Sequence, residues 1–193
     1  MRQIFWNILA VTVVITLFNF VMAVQQRQYN VIEAHDSIEL RDYQQVVVAS
    51  VDVKGDRQTA ATAAFRLLFR YISGHNQSAT KIAMTAPVAQ QQVDEKLWRV
   101  SFFMPADWTF EQVPRALDSR VKLEVVKQVN IAAIQFSGRS SQSNLDKHKI
   151  KLEKFLQQHN HVYQQNPIYA FYNAPYVPWF LRRNEIMFIL GDD

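Results

Sequence analysis

The sequence predicts an α+β domain built from two β-β-α-β-β halves, each half carrying one helix. Three observations predict it. Residues 38–55 and 121–138 repeat one apolar pattern at a constant offset, so that Leu40 aligns with Leu123, Val46 with Val129, Val51 with Ile134 and Gly55 with Gly138. Each copy runs into a stretch with helical spacing. Each of those stretches is followed by β-rich segments. A duplicated unit buries its apolar face against its twin, and the seam between twins is a natural cleft.

The elements follow in order. Val31–Leu40 and Val46–Val53 are rich in β-branched residues and read as a strand pair across Tyr43-Gln44-Gln45. Gly55 and Asp56 break the pattern, and Asp56 has the chemistry of a helix cap. From Thr59 to Ile72 the apolar residues Ala61, Ala64, Phe65, Leu68 and Ile72 fall on one helical face, with Thr62 and Phe69 on its flank and Arg66 and Arg70 toward solvent. Gly74 ends that helix. Met84–Gln90 and Leu97–Met104 read as strands, with Pro87 arguing for an edge position. A loop rich in proline and aromatics, Pro105–Ala116, separates the halves. The second half has strands at Val121–Val126 and Val129–Ser137. Its helix spans about Asn144–His159, with Ser143 and Asp146 in a capping-box arrangement and Lys147, Lys151 and Lys154 on a solvated face. Strands at Ile168–Tyr172 and Glu185–Leu190 finish the chain.

Ahead of this domain, Ile4 to Val24 is almost wholly apolar and is preceded by Arg2. About 20 such residues can cross a bilayer as a helix. The reading is an N-terminal hydrophobic helix within a 1–28 segment, followed by a domain at 29–193. An uncleaved anchor, with the domain outside the cytoplasm, is the first expectation. A cleaved signal and a periplasmic or secreted domain is the second, because Val21-Met22-Ala23 offers small or aliphatic residues for cleavage.

Composition narrows the function. Hydrophobic content of 49% and charged content of 20% fit a folded domain. The net charge of +4 is spread along the chain without a basic stripe, which argues against nucleic acid as a partner. Without cysteine there is no disulfide, thiol catalysis or thiolate metal site. The histidines, His35, His75, His148, His159 and His161, do not cluster with further ligands, so no metal site is expected. Four glycines supply no phosphate loop.

Two segments carry unusual chemistry. One is Lys81 to Val88, Lys-Ile-Ala-Met-Thr-Ala-Pro-Val. The other runs from Tyr169 to Met187 and holds Tyr176, Trp179 and the pair Arg182-Arg183 between prolines. Aromatics on a stiff loop beside arginines can cover an apolar ligand and hold its carboxylates. They can equally plug the end of a sheet, with the arginines paired to Asp or Glu.

Together with Ile38-Glu-Leu-Arg-x-Tyr43, Ala64-Phe65, Tyr71-Ile-Ser-Gly74, Val100-Ser-Phe-x-Met-Pro105 and Arg182-Arg-Asn-Glu-Ile186, the Lys81–Val88 motif makes the chain resemble the SOUL haem-binding family from about Tyr29 to Leu190. The resemblance implies a distorted β-barrel of two β-β-α-β-β halves, related to the gyrase-inhibitor-like small-molecule-binding domains. It also implies a haem or other tetrapyrrole held in a surface cleft beside the first helix. The candidate ligand-binding residues are Thr62, Phe65, Phe69, Lys81, Met84, Tyr176, Trp179, Arg182 and Arg183. Asp42 stands where some family members have a histidine proposed as axial ligand, and Thr62 stands where the family has a helix arginine. Two alternatives are an enzyme in which Glu185, raised in pKa among aromatic rings, acts as acid or base, and a ligandless envelope protein whose aromatic loop meets a partner.

Overall fold

The computed structural model describes residues 24–191, so the expected membrane segment at 4–24 lies, except for exposed Val24, outside the described residues. Among the described residues no helix is long and apolar enough to cross a membrane. The strands are β1 (Gln25–Gln26), β2 (Tyr29–His35), β3 (Ile38–Tyr43), β4 (Val46–Lys54), β5 (Thr85–Ala86), β6 (Val88–Asp94), β7 (Leu97–Phe103), β8 (Lys122–Val126), β9 (Val129–Phe136), β10 (Ile168–Phe171) and β11 (Asn184–Ile189). The helices are α1 (Arg57–Ile72) and α2 (Gln142–Gln158).

Nine strands form one antiparallel sheet in the order β2-β3-β9-β11-β10-β6-β7-β4-β8, and β1 pairs in parallel with β5 as a separate ribbon. The sheet is curled but open. Every strand of this nine-stranded sheet except β2 contributes to a cavity of about 220 Å³ on its inner face, yet β2 and β8 do not meet. The expected barrel is therefore a half-barrel.

Both helices lie on the other face, each over its own core. Under α1, Ala64, Leu68, Tyr71 and Ile72 pack on Val47, Ala49 and Val51 of β4 and on Val100 and Phe102 of β7. Under α2, Leu145, Leu152 and Leu156 pack on Ile38 and Leu40 of β3, Ala132 and Ile134 of β9, and Ile186 and Phe188 of β11. Alternation along a strand sends neighbouring side chains to opposite faces. Ile131, Ala133 and Met187 accordingly point inward and form a third cluster with Tyr43 and Ala170.

Several elements differ from expectation. The predicted strand at Val31–Leu40 is a hairpin, because Asp36, at φ 52°, turns the chain between β2 and β3. β3 pairs with β2 and β9 and not with β4, which lies between β7 and β8. Side-chain alternation is the same for either partner, so the sequence carried no sign of the choice. Pro87 is not on an edge: it precedes β6, which lies inside the sheet between β10 and β7. Helix α1 is capped as expected, with the Asp56 carboxylate accepting from the Gln58 and Thr59 backbone N–H groups. Its buried arc is rotated, however. Ala60 and Tyr71 are buried, while Phe65 is 39% and Phe69 51% exposed. Helix α2 starts two residues early, at a Ser141 N-cap whose side chain makes no capping hydrogen bond, and Asp146 instead accepts from Gln142.

Candidate functional site

The rotation of α1 gives it an outward stripe. Gln58, Thr62, Phe65, Arg66 and Phe69 fall within about 100° of one another around the helix axis, and all five are exposed. Phe65 and Phe69 stack on each other with ring centroids 5.9 Å apart and planes at 10°. Phe65 also meets buried Phe102 edge-on at 5.3 Å, which ties the pair to the core below. Thr62 donates its hydroxyl to the Gln58 carbonyl, a local helix contact. Arg66, one turn from Thr62 and next to Phe69 on the helix surface, makes no ion pair or hydrogen bond with any described residue.

At the N-terminal end of this stripe, Gln58 lines a broad, open groove with Arg139 and the 175–182 loop, including Tyr176, Trp179 and Arg182. Tyr176 is 88% exposed and Trp179 about half, so the loop is no plug for the sheet. It is built by Arg182, whose Nε donates to the Val177 carbonyl and whose Nη2 donates to the Pro175 carbonyl. The loop thus stands beside the start of α1 and does not cover Phe65 and Phe69, which are two to three helical turns farther along. At the opposite end, the Ile82 N–H donates to the Ile72 carbonyl, which places exposed Lys81 by the end of α1 and half-buried Met84 against the core under it.

Arg183 and Glu185 belong to the inner face. Glu185 is fully buried. Its Oε2 accepts from Arg41 Nη1 at 2.8 Å and from the Tyr172 hydroxyl at 2.8 Å. Its Oε1 accepts from Arg41 Nη2 at 3.0 Å and from Arg183 Nε and Nη2 at 3.0 and 2.7 Å. Arg41 also donates to Glu39 and to the Tyr43 hydroxyl and lies 4.2 Å over the Tyr29 ring, while Arg183 lies 4.0 Å over Tyr172. Two carboxylates and two guanidiniums balance. Burial alone would push the Glu185 carboxyl up, but the Arg41 and Arg183 guanidiniums outweigh it and hold the pKa below the ordinary glutamate value. Burial drives the Tyr172 hydroxyl the other way, up, reinforced by the Glu185 charge.

This corrects two expectations. Glu185 is not a raised-pKa acid or base, because two cations and a phenol saturate it. Arg183 is not free to meet a ligand carboxylate, because it holds Glu185, whereas Arg182 spends Nε and Nη2 on carbonyls of its own loop and pairs with no described carboxylate. Arg41 and Tyr172 were missed as partners of Glu185. The Glu-Leu-Arg-Asp-Tyr run of β3 reads as ordinary alternation, and its partner is 144 residues away. Asp42, on the β3 face opposite Arg41, accepts hydrogen bonds from the side chains of Gln44 and Gln128. Among the described residues no group of three metal-ligating side chains occurs. His159 packs tilted against Phe155, and His161 stacks on the same ring.

The chain is 30% identical to human "Heme-binding protein 2" over 161 residues, covering 79% of this chain and 78% of that protein. It is 26% identical to Xenopus tropicalis "Heme-binding protein 1", with 79% and 83% covered. Among solved structures, the EcmrR C-terminal domain superposes with a TM-score of 0.62 at 12% identity, covering 86% of this chain and 99% of that one. A hydrolase from Listeria innocua superposes with a TM-score of 0.58 at 13% identity, with 83% and 94% covered. These two establish the fold alone: an α+β half-barrel with two helices. The family model described as "SOUL heme-binding protein" matches residues 24–189, and the chain belongs to that family.

Proposed function

We propose that the protein binds haem or another tetrapyrrole along the outward stripe of α1, between the 175–182 loop and Lys81. The observation that carries this reading is the stacked, half-exposed Phe65–Phe69 pair beside the unpaired Arg66. A flat macrocycle takes the aromatic faces, and Arg66 and Lys81 take its carboxylates. The residues fit the macrocycle but not axial ligation. Helix α1 contains no histidine, and Asp42 is engaged by Gln44 and Gln128. Bound haem would supply the iron chemistry; this chain's part is to hold and orient the ring.

Magnitudes decide how much of the face must take part. Fully burying a large aromatic contributes about 1.5–3 kcal/mol. Phe65 and Phe69 are already half covered, so together they add roughly 1.5–3 kcal/mol. Micromolar affinity needs about 8 kcal/mol. Tyr176 and Trp179, with more surface still to lose, and the cations must supply the rest. Titrating the purified domain with haemin and following the Soret band tests this. We expect saturation at micromolar haemin, abolished by Phe69→Asp and weakened several-fold by Trp179→Ala and by Arg66→Gln. A Soret band that never saturates at micromolar haemin sinks the reading.

The two-halves expectation is part of the proposal. Its support is the strand order, which, β2 aside, reads the same from the opposite edge when β3, β4, β6 and β7 exchange places with β8, β9, β10 and β11. The repeat at 38–55 and 121–138 covers β3–β4 and β8–β9, in line with that exchange. Residues 4–24 are proposed as a membrane anchor that places the domain outside the cytoplasm. Carbonate extraction and protease accessibility of the full chain test it, and full release by carbonate would overturn it.

A further inference from the structure

We infer that the inner cavity of the half-barrel is a second binding site, for a small apolar monocarboxylate whose carboxylate pairs with Arg27. The walls are apolar: Val48, Phe103, Ile131, Ile168, Met187 and Ile189 come from five different strands. At about 220 Å³ the cavity lies below the ~300–1,000 Å³ of sites that hold drug-sized ligands. A macrocycle does not fit it, but a medium-chain alkanoate does.

Arg27 is the unusual residue of that wall. The segment that carries it is stitched to β5, with the Arg27 N–H donating to the Ala86 carbonyl at 3.1 Å. This turns the guanidinium inward, 4.4 Å over the Tyr43 ring and 5.1 Å over the Phe103 ring. Nη2 makes one long bond, 3.3 Å, to the Gln44 carbonyl, and Nε is buried without a partner. No described carboxylate pairs with Arg27. The other charges around the cavity are already matched: Arg99 pairs with Asp52 and Glu124, and Arg41 and Arg183 pair with Glu39 and Glu185. Glu124 lines the wall by Arg99 and sets the polarity of the site, repelling a carboxylate there and leaving Arg27 as the anion end. Burial lowers the Arg27 pKa to about 10, which still leaves it charged at neutral pH. A half-buried guanidinium whose Nε is shut off from solvent and which has no counter-ion is costly, and a bound carboxylate offsets that cost.

The test uses sodium octanoate, 1-octanol and octyltrimethylammonium on the purified protein, followed by calorimetry and by the ¹³C shift of labelled octanoate carboxyl. We expect octanoate to bind at least tenfold more tightly than octanol, and the ammonium ion to bind least. Arg27→Gln should cost octanoate about tenfold and leave octanol unchanged. Ile189→Trp, which fills the cavity from its rim, should abolish both. Haemin affinity should be unchanged in both variants, and haemin should not displace octanoate, which separates this site from the α1 face. The inference is overturned if octanoate does not bind, if octanol equals it, or if Arg27→Gln leaves octanoate untouched. It is also overturned if haemin and octanoate compete.

Discussion

Replacing Glu185 by glutamine removes one charge and little volume from a polar cluster whose carboxylate is fully buried. The carboxylate accepts five hydrogen bonds, three at Oε1 and two at Oε2. A glutamine can keep one oxygen. Its better orientation puts that oxygen toward Arg183 and leaves the amide nitrogen facing two donors, Arg41 Nη1 and the Tyr172 hydroxyl. Each orphaned buried donor costs about 1–3 kcal/mol, and removing one partner of a buried ion pair costs about 3–5 kcal/mol in all. Domains have roughly 5–15 kcal/mol of stability, so the change consumes about a fifth of it or more. At about 2–4 °C per kcal/mol for a chain of this size, the melting temperature should fall by roughly 6–20 °C. Thermal and urea unfolding followed by circular dichroism measure it. Adding Arg41→Met to Glu185→Gln should cost less than Arg41→Met alone costs the unsubstituted protein, because the cation is then already unpaired. A Glu185→Gln variant within about 0.5 kcal/mol of the parent would refute the reasoning and reopen Glu185 as a functional acid.

Acid should act through the same group. The folded-state pKa of Glu185 is depressed, so its contribution is complete above the unfolded value of about 4.3 and is lost as pH falls through the lower folded value. Asp52, held down by hydrogen bonds from Arg99 and Lys122, adds in the same direction. Urea midpoints from pH 7 to pH 3 should fall below about pH 4 in the parent and more gently in Glu185→Gln; parallel curves would contradict this. Leu68→Ala, at a fully buried site under α1, should cost about 2–5 kcal/mol by urea denaturation, and a loss under 1 kcal/mol would mean the helix collapses onto β4 and β7.

Much of the architecture was legible because it rests on local periodicity. Both helices, the Asp56 cap, the Gly74 stop and most strands follow from spacing and turn chemistry. What was not legible is pairing. The partner of β3 is β9, some 90 residues on, and alternation looks the same for any partner. The phase of α1 was misread because Ala60 and Ala61, and Phe65 and Tyr71, are alike apolar in sequence; Ala64, Leu68 and Ile72 are buried as expected, and only tertiary packing adds Tyr71 and Ala60 to the buried arc. Phe65 and Phe69 are nonetheless candidate ligand contacts through the family resemblance, and the structure leaves both half exposed. The Arg182–Arg183 pair looked like a carboxylate clamp, and its true partners, two carbonyls of its own loop and one glutamate on its own strand, depend on tertiary placement.

The charge cluster around Glu185 also settles which strands stay aligned with which. β9 and β11 are buried on both faces over most of their length, and β3 nearly so. A slip of two residues between such strands keeps every side chain on its own face, so hydrophobic burial barely distinguishes the shifted pairing from the native one. Charge does distinguish them. Arg41, opposite Ile131, and Glu185, opposite Gln135, reach each other diagonally across β9, and a two-residue slip on either side of β9 would change their offset by about 7 Å. That would strand a carboxylate and a guanidinium in the interior without partners. The native register is thus marked by one ionic contact that the greasy strands around it could not supply.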